Sequence, residues 1–388
     1  MNDKPESRAV ISGIGISRIG RRLGVPGLEL TLESSERALA DAGLRWEDID
    51  GVDTMGDTPI DEVARAHGLD LEWSGGGVSN GGLLSPLMSA VLAVAEGRAR
   101  HALVYRTVQM MGGSILPPEG GPPSRRAMAQ DPEAPMPMGD MPALLAYHAY
   151  SAANWLAMHC RRHMYLYGTT KEQLGALAVN SRRFAGMNPL ATFRDPITLE
   201  DYFAARPISD PFGLLDCDIP VDGSVALIVS PAEAVADFER PVRVAAMGGA
   251  DGHGGWDQRP DYPKMASVDA AAELWSRTEL RPADVDVAEL YDGFTFITLA
   301  WLEALGFCGD GESGPFVADP GRIALGGQLP LNTYGGQLSA GRLHGYWIVH
   351  EACLQLQHQA GERQVDGAEV AVAAVGGGPI AGCLLLTR

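Results

Sequence analysis

The strongest constraint on the fold is that the chain repeats itself. "RAVISGIGISRIG", from Arg8, is an apolar strand pattern ending in glycines, and "RPVRVAAMGGADG", Arg240–Gly252, has the same form. An amphipathic helix, a glycine stop and another strand follow in "LESSERALADAGLRWEDIDGVDTMGD", with a counterpart in "VDAAAELWSRTELRPADVDVAELYDGFTF". Leu44-Arg45 aligns with Leu280-Arg281 and Asp48-Ile49-Asp50 with Asp284-Val285-Asp286, at one offset (280 − 44 = 236; 284 − 48 = 236). A third helix–glycine–strand unit spans Leu87–Tyr105 and recurs at Tyr346–Val375. A shared offset marks a duplicated unit, and strands alternating with helices predict largely parallel, buried sheets. The predicted division is 1–238 and 239–388.

The first half carries an excursion over about 107–200. Within it, Thr107–Pro142 (142 − 107 + 1 = 36 residues) is rich in Pro, Gly and Met. Such composition predicts no regular helix or sheet, and loops of this length are commonly lids or interfaces. Its methionines (Met110, Met111, Met128, Met136, Met138, Met141) suit an adaptable contact surface.

"SGGGVSNGGLLSPLMSAVLAVAEGRARHALVY", Ser74–Tyr105, places a glycine-rich loop before an apolar helix. Such a loop is a common place for a nucleophile or an anion site. Here it contains no Cys, Lys or His, and no Lys-Ser/Thr pair follows its glycines, so it is not a phosphate loop. The net charge of −19 argues against a nucleic-acid partner. The polar start lacks a signal-peptide core, and no apolar run is long enough to span a membrane. The five cysteines are scattered, without CxxC spacing, which predicts neither a disulfide framework nor structural zinc and fits the cytoplasm. His159 and His163 are four apart on a helix but lack a third ligand, so a solvated face is expected. "DCDIPVDGS", Asp216–Ser224, is rich in carboxylates, yet Asp222-Gly223 reads as a turn. No metal site is predicted.

The motifs "LLDCDIPVDGSVALIV" (Leu214–Val229), "ELYDGFTF" (Glu289–Phe296), "LGFCGDGESGPFV" (Leu305–Val317), "LPLNTYGGQLSAGRLHGY" (Leu329–Tyr346) and "AAVGGGPIAG" (Ala373–Gly382) resemble the thiolase superfamily. The match is closer within its lipid-transfer, or sterol-carrier-protein, branch. The resemblance spans nearly the whole chain. It implies an α/β fold of two βαβαβαββ halves in five alternating αβαβα layers, normally a homodimer. Three catalytic positions of true thiolases are replaced. The acylated cysteine falls within Gly81–Leu84, where there is none; Ser79 and Ser85 are nearby hydroxyls without a visible base. The second cysteine corresponds to Ala374 and the catalytic histidine to Arg342. Cys353 and Cys383 lie outside the motif positions and are expected to fill the core.

A covalent acyl-enzyme is therefore not expected. The cleft that remains can still hold an acyl-CoA thioester and stabilise its enolate. If the β carbon bears a hydroxyl, one base, one oxyanion site and one proton donor suffice for retro-aldol cleavage. Tyr291, in a "YD-F" motif, resembles the corresponding residue of thiolase-like aldolases of bacterial steroid side-chain degradation. As a base it needs its phenol pKa, about 10, lowered, which Arg342 would do by charge. Those aldolases carry a second Tyr at the Arg342 position; an arginine there cannot be a base but can bind an enolate oxygen or an acyl carboxylate. His344 fits a proton shuttle or a cap on the following helix, and Tyr346 a replacement phenol or a core residue. Asp292 is expected to orient a neighbour or cap a helix, Asn332 stands where thiolases position an active-site water or loop, and both are expected to line the substrate with Gly335, Gly336 and Gly377 of the glycine loops. No cofactor is expected, because the substrate carries coenzyme A. The related aldolases work with a small zinc-ribbon/OB-fold acyl-CoA-binding protein, which implies such a partner and a heterotetramer. Two readings stay open beside the aldolase: thiolase-type acyl transfer through another residue, and a non-catalytic lipid-binding subunit.

Overall fold

The repeat survives as geometry. In the computed structural model, which describes residues 4–55, 58–77, 79–110, 141–251, 255–256 and 258–388, two corresponding strands begin 236 residues apart (287 − 51 = 236). The first half runs β1 (Ala9–Ile16), α1 (Gly27–Ala42), β2 (Gly51–Thr54), α2 (Ile60–His67), β3 (Trp73–Ser74), α3 (Ser85–Ala95) and β4 (Ala102–Gln109). Four helices follow: α4 (Met141–Ala146), α5 (Ala152–Tyr167), α6 (Lys171–Met187) and α7 (Leu199–Ala204). A small hairpin, β5 (Pro207–Ser209) and β6 (Phe212–Gly213), then leads to β7 (Asp222–Pro231). The second half runs β8 (Val242–Asp251), α8 (Ser267–Ser276), β9 (Val287–Leu290), α9 (Thr295–Ala304), α10 (Ser313–Ala318), a π-helical turn at Gly336–Ala340, α11 (Tyr346–Leu356), β10 (Val370–Gly377) and β11 (Ile380–Thr387).

The strands are ordered β3-β2-β4-β7-β1-β8-β11-β10-β9. Between β1 and β8 the halves pair at Val10 with Arg243 and Ile11 with Val242. Side-chain alternation sets the layers. On β4, Leu103 and Tyr105 pack with Ala38 and Leu39 of α1, while Ala102 and Val104 face the main core with Leu87 and Val91 of α3. Helix α11 touches β9 and β10 as well as β1 and β7. In a flat sheet β7 and β9 would stand about 24 Å apart, twice the ~12 Å width of a helix, so the strands fold round α11. With α1 and α8 on the outer faces, the result is the five-layered thiolase-like arrangement.

Three expectations change. The second half is not a full βαβαβαββ copy: its third strand shrinks to one parallel bridge, Ala288 with Leu331. The excursion is not loop throughout. Thr107–Gln109 complete β4, and residues 141–204 are mostly helical; the expectations for 111–140 lie outside the described residues. Asp222-Gly223 is not a turn but the start of β7, where Asp222 Oδ2 accepts the Leu23 N–H at 2.9 Å.

The glycine loop before α3 joins the two halves. Gly81 and Gly82 have φ of +101° and +57°, which favours residues without a Cβ. A Cβ on Gly249 of β8 would sit 2.9 Å from Gly81 Cα, and one on Gly382 of β11 would sit 2.3 Å from Gly81 O. Gly382→Ala should therefore force backbone apart and destabilise the protein by about 1–3 kcal/mol, as overpacking does. A thermal midpoint equal to wild type would show that the two halves do not need this close approach.

Candidate active site

Tyr291 is the first residue after β9, and its N–H donates to Ala374 O at 2.8 Å. Its ring lies over Gly293, where a Cβ would stand 2.7 Å from Tyr291 Cε1 and 3.5 Å from Asp218 Oδ2. Asp218 is tied to the same turn, its N–H donating to Gly293 O at 3.1 Å. Arg342 Nη1 donates to Asp218 Oδ2 at 2.9 Å, with 24% and 10% of the two side chains exposed. The Arg342 N–H donates to Ile219 O at 2.8 Å, which holds the two loops side by side. From another edge of the guanidinium, Arg342 Nη2 donates to Met110 Sδ at 2.9 Å.

Within electrostatic reach of Arg342, Arg106 of β4 donates to His344 Nδ1, from Nη2 at 2.5 Å and from Nε at 3.2 Å. His344 has φ +49°, a strained value for a residue with a side chain. It does not cap α11, whose N-cap is Gly345 with no side-chain cap. Tyr346 opens α11, fully buried, with its hydroxyl beside the Leu87 backbone.

Burial dominates the electrostatics. It pushes the Tyr291 phenol up; Asp218 adds to this, and Arg342 opposes it without reversing it. The expectation of a phenol activated by Arg342 therefore fails: Asp218 already engages that charge. Burial raises Asp218 above the usual carboxylate range, with Arg342 pulling the other way. Burial, Arg106 and Arg342 together hold His344 well below neutrality, so it is not a shuttle poised near pH 7. Tyr346 is pushed up by burial. Arg106 falls to about 10, again by burial, and remains a cation at neutral pH.

The other expected positions shape the site. Asp292 Oδ1 accepts from Gln337 N at 2.8 Å and Oδ2 from Leu338 N at 3.4 Å, capping the π-helical turn. Gly336 makes room for it, since a Cβ there would lie 1.9 Å from Asp292 Oδ2. The turn brings the buried Gln337 carboxamide beside the Tyr291 phenol. Asn332 Oδ1 accepts from Leu290 N at 2.7 Å, so it fixes the end of β9 just before Tyr291. Gly335, φ +104°, lets the loop pass Ala185. Gly377 pairs with Ile380 in the β10–β11 hairpin.

The bare thiolase positions stay bare. Ala374 is buried in β10. Ser85 Oγ accepts from Ser79 N at 2.9 Å and donates to Gly82 O at 2.8 Å, so that hydroxyl ties the loop to itself. All five cysteines are free thiols. Cys353 and Cys383 are in the core as expected, and burial pushes every thiol up, Cys217 and Cys308 to about 12. His159 and His163 are buried rather than solvated; His163 pairs with Glu303 at 3.0 Å. Among the described residues no three His, Cys, Asp or Glu side chains are grouped to hold a metal, and no helix is long and apolar enough to cross a membrane.

Arg106 and Asp218 were missed from sequence. A signal existed for each: Arg106 is the one charge in the strand "ALVYRTVQ", and Asp218 stands in a motif already singled out.

Fold and site thus define a thiolase-fold enzyme centre from which the sulfur nucleophiles are gone. Residues 248–384 match the family described as thiolase C-terminal domain-like. The chain is 36% identical to a steroid side-chain-cleaving aldolase of Thermomonospora curvata, with 97% of each chain covered. It is also 36% identical to a 17-hydroxy-3-oxo-4-pregnene-20-carboxyl-CoA lyase of Mycobacterium tuberculosis, over 97% of this chain and 99% of that one. The solved structure of an Ltp2-ChsH2(DUF35) aldolase superposes with a TM-score of 0.87 at 31% identity, covering 98% of both chains. The chain belongs to the thiolase superfamily, and within it to the carbon–carbon lyases of thiolase fold, the acyl-CoA aldolases.

Asp292 supplies a test of the site's electrostatics. Burial raises its pKa to about 7, against about 3.9 in the unfolded chain. The folded protein holds this proton more tightly, so the associated stability is full below pH ~4 and is lost as pH rises through about 7. Asp292→Asn cannot ionise. Its thermal midpoint should fall below wild type at pH 5 and recover part of that gap at pH 8. An equal gap at both pH values would mean that Asp292 is ionised throughout.

Proposed function

We propose that the protein cleaves a β-hydroxyacyl-CoA with a bulky, steroid-like acyl group by a retro-aldol reaction. The observation that carries the reading is the replacement of a sulfur nucleophile by an acid–base cluster, Tyr291, Asp218 and Arg342, at the end of β9. It is supported by relatives of full-length similarity whose names are aldolase and acyl-CoA lyase.

The roles follow from the pKa directions. Asp218, an ion-paired carboxylate raised above its usual range, takes the β-hydroxyl proton. The O–H electrons form the carbonyl, the Cα–Cβ bond breaks, and its electrons pass to the thioester as an enolate. Tyr291, a phenol kept protonated, gives its proton to Cα and is reprotonated from Asp218. The products are a ketone or aldehyde and a shorter acyl-CoA; water and free CoA are not consumed. Tyr291 thus acts as acid in the resting enzyme rather than as the base expected from sequence. Arg342 holds Asp218 and faces the same space. No further cofactor is required, since the substrate brings coenzyme A.

The same reading includes a homodimer in the cytoplasm that works with a small zinc-ribbon/OB-fold acyl-CoA-binding chain as a heterotetramer. The solved Ltp2-ChsH2(DUF35) aldolase, 31% identical to this chain, supports this part of the reading. Light scattering of the chain with and without such a co-expressed partner tests this; a single species of unchanged mass in both would count against it.

Mass spectrometry of a β-hydroxyacyl-CoA panel should show cleavage without added free CoA. Product formation that depends on free CoA would return the enzyme to thiolysis. Tyr291→Phe should lower kcat about 10²–10⁴-fold, the usual weight of an acid–base group, and Asp218→Asn by a similar factor, with Asp218→Glu recovering part. Because Asp218 must be ionised, kcat should fall on the acid side at a pH above the ordinary carboxylate value. Iodoacetamide should leave activity intact. Loss tracking one cysteine, with substrate protecting it, would restore a covalent mechanism.

A further inference from the structure

His344 and Arg106 form a contact whose chemistry leaves little freedom. An arginine side chain has N–H donors and no acceptor, and stays protonated in proteins. Two of its nitrogens, Nη2 and Nε, converge on one ring nitrogen, His344 Nδ1, at 2.5 and 3.2 Å. Nδ1 must therefore be the acceptor and carry no proton. A neutral imidazole holds one proton, so it lies on Nε2, which makes no hydrogen bond among the described residues. The charged and titratable groups around this ring are Arg106 from β4 and Arg342 from its own loop. Asp218 lies beyond Arg342, and Tyr291 and Tyr346 both lie within electrostatic reach of Arg106. The backbone supports the arrangement: His344 is held in the left-handed region between Gly341, φ +142°, and Gly345, φ +92°. Arg106 is anchored on a central strand, with only 6% of its surface exposed.

We propose that Arg106 is a positioning residue that fixes His344 as a neutral imidazole with its proton on Nε2. His344 then takes part in the reaction only as a hydrogen-bond donor, aimed at an oxygen that gains negative charge. A neutral donor of this kind stabilises the developing charge without surrendering a proton to it. The second half of the inference rests on the retro-aldol reading above, whose thioester oxygen becomes the enolate. The first half does not.

The test separates the two. Ring-¹⁵N histidine labelling of the full chain resolves the tautomer of each of its nine histidines, and His344→Gln identifies the signals of His344. Wild type should show Nδ1 unprotonated and Nε2 protonated at neutral pH. Arg106→Leu should give mixed tautomers, and Arg106→Lys, which keeps a cationic donor, should restore the single form. With a cleaved β-hydroxyacyl-CoA as substrate, Arg106→Leu should lower kcat about 10²-fold, the scale of one lost oxyanion donor, with KM little changed and Lys recovering part. A proton on Nδ1 in wild type, or a tautomer indifferent to Arg106→Leu, overturns the proposal. So does a changed tautomer with unchanged kcat. If the tautomers behave as expected but wild type cleaves no β-hydroxyacyl-CoA, it is the retro-aldol reading that fails.

Discussion

The structure depends on how closely two backbones approach. The loop before α3 lies against β8 and β11 with so little clearance that Gly81, Gly249 and Gly382 meet atom to atom. That contact brings the first half's glycine loop over the second half's hairpin. With α11 clasped between strands of both halves, it makes one cleft from two repeats. The glycines ahead of α3 therefore have a purpose without a nucleophile. In a thiolase the same loop presents a cysteine; here Ser85 turns its hydroxyl back on the loop, and what remains is the approach itself.

Burial then sets the chemistry. At the site, removal from water moves two phenols and a carboxylate up and an imidazole down. Neighbouring charge decides what is left over. Arg342 engages Asp218 rather than Tyr291 and pulls its pKa down against the rise that burial causes. Arg106 engages His344 and keeps it neutral. Each arginine thus biases the protonation of one neighbour.

The scaffold around these groups consists of residues with no direct part in chemistry. Asp292 caps the π-helical turn that carries Gln337 to Tyr291, and Asn332 holds the end of β9 just before Tyr291. Both stand in motifs that resemble thiolase site residues, and both belong to the site by supporting it. The buried pair Glu351–Arg363 and the Thr333 hydroxyl bonded to Glu289 and Glu351 extend this support behind β9.

The sequence by itself determined the duplicated architecture, because periodic apolar residues and a constant offset need no partner to be read. It also determined the loss of the sulfur nucleophiles and the place of Tyr291, since each is a residue type within a recognisable motif. It pointed to the cleft loops for the same reason. Protonation states were beyond it. Whether Arg342 meets Tyr291 or Asp218, and whether His344 is poised or locked, depends on side chains distant in sequence: 238 residues separate Arg106 from His344, and 124 separate Asp218 from Arg342. The helical nature of 141–204 and the lost third strand of the second half were likewise decided by packing against the rest of the fold. Local pattern is read from neighbours in the chain; a pKa is set by neighbours in space and by the water they exclude, and only the folded structure brings those together.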